Sequence, residues 1–385
     1  MSVTAAGGFR TAGVAAGIKA SGALDLALIV NDGPSNAAAG VFTRNQVKAA
    51  PVLWSQQVLT GRRLRAAVLN SGGANACTGP GGFQDTHATA DRVAAVLDCG
   101  AAEVAVCSTG LIGERLPLDA LLSGVDKAAA ALAASPEAGL AAATAVLTTD
   151  TVPKQAVVNR AGWTVGGFAK GAGMVAPSLA TMLCVLTTDA AVDGATLDTV
   201  LRRATSDTFE RLDIDGACST NDTVLLMASG ASAIAPDEEE FAAAVRQVCH
   251  QLVASLQADA EGVTKEIAIT VRGATNGAEA LAAARAVARD NLVKTALFGS
   301  DPNWGRIAAA TGASPATVRA DTLDVWINGV LLCQGGAAAA DRSKADLSGR
   351  EIAVEIDLQL GGGQATVLTT DLSHGYVEEN SAYSS

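Results

Sequence analysis

The chain has 385 residues, a formal net charge of -12, and 49% hydrophobic but only 3% aromatic residues. That length can bury a large core, as two domains or one large one, and the core must be built mainly from Ala, Val, Leu and Ile. The acidic balance excludes a surface made for nucleic acid or anionic lipid, both of which demand clustered Lys and Arg, and leaves a small-molecule substrate as the expectation.

The opening MSVTAAGGFRTAGVAAGIKASGALDLALIV is interrupted by Arg10 and Lys19 and lacks the basic start and unbroken apolar stretch of a secretory signal. No run of eighteen apolar residues follows, so no membrane span is expected. Short Val/Leu/Ile-rich runs between 23 and 41, at 66–70 and at 103–108 end in Gly, Asn or Ser and read as buried strands. Ala-rich stretches at 86–97, 118–134 and 137–147 read as helices. The second half repeats the style, with strands at 181–188, 223–231 and 267–272 alternating with helices at 195–206, 237–258 and 278–290. Strands near 323–327, 351–358 and 364–369 finish the chain. Layered α and β elements with helices covering sheets are expected. The seven cysteines are scattered and odd in number with no CxxC pair, which reads as reduced small core residues, no metal site and a cytoplasmic location.

No internal repeat or long linker divides the chain. The internal boundary is chemical instead, in AKGAGMVAPSLATMLCVLTTDA at 169–190. A glycine-rich, proline-containing loop there runs into an apolar strand, with Thr181 at the junction. A threonine hydroxyl can attack the carbonyl of the residue before it, here Ala180, turning the amide into an ester that water opens. The freed Thr181 then carries a nucleophile and an α-amine of unperturbed pKa roughly 8, able to act as its general base. On residue type alone, a threonine that merely opens a strand is the commoner reading of this segment.

The string KGAGMVAPSLATML resembles the self-cleavage motif of the ornithine acetyltransferase family, the bifunctional glutamate N-acetyltransferases of arginine biosynthesis. The match continues through STGLIGERLP at 108–117, TTDTVPK at 148–154, DIDGACSTNDT at 213–223, DAEGVTK at 259–265, LVKTALFGSDPNWGR at 292–306 and the terminal DLSHGYVEENSAYSS. The resemblance implies an α/β fold, a layered α/β/β/α sandwich of the self-cleaving N-terminal-threonine kind. It implies cleavage into an α fragment, 1–180, and a β fragment, 181–385, that stay together as a heterotetramer of two of each. N-acetylornithine and glutamate are the implied substrates, with no cofactor beyond acetyl-CoA as a second acetyl donor.

Individual residues acquire roles by the same resemblance. Thr109 and Gly110, in a segment that otherwise reads as a turn after a strand, become the oxyanion donors by hydroxyl and backbone N–H. Lys170, otherwise a solvated loop lysine, becomes a substrate-binding cation that faces a carboxylate or assists the oxyanion hole. Thr148, Glu261, Asn380 and Ser385 match substrate-binding positions, together with Thr181 itself. Glu261 would answer the ammonium of ornithine, and the tail holding Asn380 and Ser385 would fold into the site. Residues 70–79 read as a turn lining the pocket, and FGSDPNWGR at 298–306 as tight structural loops. His87, His250 and His374 form no catalytic pattern. Two other classes stay open: a self-processed aminopeptidase or amidohydrolase, in which water takes the acyl group, and a non-catalytic binding protein that is never cut.

Overall fold

The computed structural model describes residues 2–176 and 182–382, which fall into two compact units. The first takes the described residues up to 210 together with 217–256; the second takes 211–216 and those from 257 onward.

The first unit carries strands β1 (Phe9–Val14), β2 (Leu26–Asn31), β3 (Ala37–Phe42), β4 (Ala66–Ser71), β5 (Val104–Thr109), β6 (Lys154–Asn159), β7 (Thr164–Lys170), β8 (Leu183–Thr188) and β9 (Thr223–Ala228). They form a sheet in the order β1-β2-β4-β5 and another in the order β3-β9-β8-β7-β6. Helices α1 (Ala50–Val58), α2 (Gly79–Leu97), α3 (Leu118–Ala130), α4 (Pro136–Ala145), α5 (Gly194–Asp207) and α6 (Glu238–Ala258) surround them.

Strands β2, β4, β5, β8 and β9 are buried along their whole length, the pattern of strands covered on both faces. The two-residue alternation sorts their side chains between cores. In β4, Ala67 and Leu69 join Phe168, Leu183, Val185 and Leu225 of the other sheet, whereas Ala66 and Val68 meet Val93 of α2 and Val125 of α3. On the far side α5 packs on β3, and Trp163 stacks on Phe241 of α6. The result is the expected α/β/β/α layering.

The second unit is built on β10 (Glu266–Ala274), followed by α7 (Gly277–Arg289), α8 (Asn291–Phe298), α9 (Trp304–Gly312), β11 (Asp324–Ile327), β12 (Val330–Gln334), β13 (Ala337–Ala338), β14 (Glu351–Asp357), β15 (Gly363–Thr370) and α10 (His374–Ala382). Its sheet runs β13-β12-β11-β14-β10-β15. Here β10 and β14 alternate buried and exposed residues. The buried set, including Ile267, Ile269, Val271, Val354 and Ile356, packs against Ala283, Ala284 and Val287 of α7.

The boundary between these units is not the expected cleavage point. Strand β7 ends before that point, β8 begins after it, and the two are antiparallel neighbours from Val165 opposite Thr188 to Lys170 opposite Leu183. Three local expectations need correcting. Helix α2 starts at Gly79, seven residues earlier than its periodic segment, because Pro80 sits in the first turn, where a missing N–H costs nothing. The segment 298–306 is the short link between α8 and α9, not loop throughout. All seven cysteines are free, but only Cys107, Cys184, Cys249 and Cys333 are buried, while Cys77 is exposed. No helix among the described residues is long and apolar enough to cross a membrane.

Candidate active site

Three chain segments converge at one end of the first unit's sheets. Strand β5 ends in Thr109, which is buried and parallel-paired with Ser71 of β4. Gly110 follows at φ +128°, and a Cβ there would lie 2.6 Å from the Gly73 nitrogen. Only glycine turns the chain so tightly against the 70–79 loop. That loop is pinned by Asn221, whose Nδ2 donates to the Ala74 carbonyl at 2.6 Å and the Ser108 carbonyl at 2.8 Å.

Lys170, the last residue of β7, is 1% exposed. Its ammonium donates to the Thr148 hydroxyl at 2.9 Å and the Thr109 hydroxyl at 3.2 Å. The lysine expected in an accessible loop is thus the buried end of a strand, fixed by two of the other sequence candidates. Because Thr109 accepts from Lys170, its single hydroxyl hydrogen must point elsewhere, which leaves it available as a donor.

Beneath them lies Asp150. Its carboxylate accepts from the Lys154 ammonium and the Gly171 N–H, each at 2.6 Å, and from the Thr148 N–H at 3.2 Å. Burial alone would push this carboxyl up, but the charges of Lys170 and Lys154 and these hydrogen bonds outweigh it and hold it below the usual carboxylate range. The Lys170 and Lys154 ammoniums both act on the Asp150 carboxylate, and the Lys170 ammonium, resting on the Thr109 hydroxyl, suits an oxyanion or a substrate carboxylate.

A further carboxyl, Asp222, is fully buried and accepts the Met182 N–H at 3.0 Å. Asp150, Lys154, Asn221 and Asp222 had no place among the sequence candidates. The signal was present, since all four stand inside the quoted motifs TTDTVPK and STNDT, yet a polar residue in a turn-like string does not announce its burial. Ala180 and Thr181 lie outside the described residues, as does Ser385.

The comparisons with known proteins bear on this constellation. The ArgJ family model matches residues 10–385. This chain belongs to the ArgJ family. Relatives within it include the arginine biosynthesis bifunctional protein ArgJ of Mycolicibacterium paratuberculosis, 64% identical over 389 residues that take in 100% of this chain and 96% of the relative. The protein of the same name from Streptomyces avermitilis is 59% identical over 385 residues and 100% of both chains. A crystal structure of an ornithine acetyltransferase complexed with ornithine, from Mycobacterium tuberculosis, is 67% identical over 46% of this chain and 95% of that one, with a TM-score of 0.46.

The remaining candidates of this ArgJ-family chain form a second group, in the second unit. Glu261 is half-buried, and its Oε2 accepts from Asn380 Nδ2 at 2.8 Å; the same amide donates to the Tyr376 carbonyl at 3.0 Å. Gly262, at φ +60°, brings its backbone directly against the Gly375–Tyr376 backbone, so that α10 rests on the loop that carries Glu261. Ser373 supports the contact by donating to the Gly262 carbonyl at 2.5 Å and accepting the Tyr376 N–H at 3.1 Å, the latter as a helix cap. The tail as far as 382 is therefore folded, not frayed. Tyr376 donates to Asp215 at 3.4 Å, and burial together with the Asp215 and Glu261 charges pushes its phenol well up.

Proposed function

We propose that this chain is the acetyltransferase of arginine biosynthesis that moves the acetyl group of N-acetylornithine to glutamate, with acetyl-CoA as a second donor to glutamate and no cofactor. The observation that carries the reading is the buried Lys170 ammonium, held on Thr109 and Thr148 and opposite Leu183, two residues beyond Thr181. The family membership and the names of the relatives point the same way.

The chain first cuts itself. The Thr181 hydroxyl attacks the Ala180 carbonyl, the C–N bond breaks, and water opens the ester to leave an α fragment ending at Ala180 and a β fragment starting at Thr181. The ladder between β7 and β8 holds the two together afterwards, because its hydrogen bonds cross the cut. A heterotetramer of two α and two β fragments, in the cytoplasm, is the assembly proposed.

In the transfer, the Thr181 α-amine takes the hydroxyl proton as Oγ attacks the acetyl carbonyl. The Thr109 hydroxyl and the Gly110 N–H stabilise the tetrahedral oxyanion, with Lys170 polarising Thr109 and supplying the nearby positive charge. Collapse breaks the bond to ornithine's amine, which leaves with the proton and yields acetyl-Thr181. Glutamate's amine then attacks this ester, and the steps reverse. The amide made resembles the amide broken, so the exchange is near thermoneutral. Thr148, Glu261, Asn380 and Ser385 hold the amino-acid groups of the two substrates in turn, Glu261 taking the ornithine side-chain ammonium.

Carbon-13 NMR of N-acetylornithine labelled in the acetyl group tests the reading. Label passing into N-acetylglutamate only when glutamate is present supports the transferase. Label released as acetate at the same rate without glutamate would make the protein an amidohydrolase instead.

A further inference from the structure

Asp222 immediately precedes β9 and is fully buried. Its Oδ1 accepts the Met182 N–H at 3.0 Å, and the Met182 carbonyl accepts the Thr223 N–H at 2.9 Å. Both polar backbone groups of residue 182 are therefore held by two consecutive residues, Asp222 and Thr223, at the start of β9. The second carboxyl oxygen, Oδ2, is buried and has no hydrogen-bond partner among the described residues. A carboxylate removed from water needs several donors or a close paired cation to remain ionised, and the one backbone donor seen on this carboxyl among the described residues is the Met182 N–H.

We propose that Asp222 is a positioning residue for the nucleophile, a clamp on the peptide unit that joins Thr181 to Met182, acting through its oxygen lone pairs and not through negative charge. The proposal rests on the reading of Thr181 as the nucleophile given above. A peptide unit is planar, so holding the N–H of residue 182 orients the plane that begins at the α-carbon of residue 181. Neutrality matters because the Thr181 α-amine must start unprotonated. A carboxylate beside it would raise the amine's pKa and lock the proton on. The setting favours the protonated carboxyl: burial drives it well above its ordinary range, the Met182 N–H opposes this, Cys218 adds to it, and Lys170 and the Ser219 hydroxyl ease it only in part.

The test compares Asp222→Asn and Asp222→Ala with the native protein. Asparagine keeps the acceptor oxygen without a charge, so self-cleavage and kcat stay within about threefold of native, whereas alanine slows kcat about a hundredfold with KM little changed. The kcat loss at unchanged KM is the reading that a merely structural role would not give; folding stability tests the uncharged state separately, in a Thr181→Ala background so that every protein is a single chain. If native Asp222 holds its proton when folded and loses it when unfolded, the native protein loses stability as pH rises above about 4. The ratio of folding constants, Asn variant over native, then climbs about tenfold per pH unit. An Asn variant as impaired as the Ala variant, an Ala variant as active as native, or a flat ratio across pH would each overturn the clamp. If the native protein itself is uncut at Thr181, the underlying reading of the nucleophile falls instead, and this is seen before any substitution is made.

Discussion

Both units bury lysines, and Lys294 in the second serves a different end from Lys170 in the first. Lys294 in the second unit gives its ammonium to the Ile214 carbonyl at 2.9 Å, the Thr369 hydroxyl at 3.2 Å and the Thr370 carbonyl. Its three donors are spent on three acceptors, mostly backbone. Lys170 in the first unit instead donates to two hydroxyls, Thr109 and Thr148, and its charge acts on the Asp150 carboxylate that it shares with Lys154. Hydroxyls, unlike carbonyls, can turn to donate. A buried cation held mainly by carbonyls ties strands together; one held on hydroxyls that can turn to donate is suited to chemistry.

Replacing both lysines is the sharpest way to break that contrast. Lys170→Met should lower kcat/KM for acetyl transfer by about 10²- to 10³-fold, far beyond what any loss of stability accounts for, with the circular dichroism of the folded protein close to native. Lys294→Met should do the reverse: two backbone carbonyls and a hydroxyl lose their donor, costing about 2–4 kcal/mol in urea unfolding, with the surviving folded protein transferring acetyl at the native rate. If both variants lose activity in proportion to stability, the distinction fails.

The titrations should differ in direction as well. Burial pulls the Lys294 ammonium down to about 8, with Asp215, Asp371 and Asp213 only partly restoring it. The unfolded lysine keeps its proton up to roughly 10.4, so this group makes stability rise as pH increases from about 8 to that value, and Lys294→Met should lack the rise. Asp150 works at the other end. Its folded pKa lies below the unfolded value of roughly 3.9, so its contribution is fully present above about pH 4 and is lost as pH falls through the folded value. Acid unfolding followed by fluorescence should be shallower in Asp150→Asn than in the native protein.

The smallest effect belongs to the exposed pair in the second unit. Glu261 and Asn380 meet where solvent screens them, so Glu261→Gln should raise KM for N-acetylornithine roughly fivefold, about 1 kcal/mol, with kcat little altered. A collapse of kcat in that variant would move Glu261 from holding substrate to taking part in the chemistry.

Much of this was legible before any coordinates. Period and composition marked nearly all the strands that are buried on both faces, including those at 66–70 and 223–231, because fully apolar runs bounded by Gly, Asn or Ser have few other readings. Strand β7 escaped, since TVGGFAK contains two glycines and a lysine and looks like loop; its glycines pack against the neighbouring strand and the N-terminal segment, which only tertiary structure reveals. Helix α1 escaped for lack of length. For the site, motifs supplied Thr109, Gly110, Thr148 and Lys170, and the fold brings those four together. What the motifs did not supply was electrostatics. That Asp150 lies under Lys170, or that Asp222 holds the residue after the nucleophile, depends on burial and pairing between segments dozens of residues apart.

The central claim is that Thr181 becomes an N-terminal nucleophile that carries the acetyl group. Intact mass spectrometry of the purified protein, before and after brief exposure to N-acetylornithine, tests it most directly. Two fragments parting between Ala180 and Thr181, with a single acetyl gained by the second, is the predicted result. One uncut chain that gains no acetyl would contradict it.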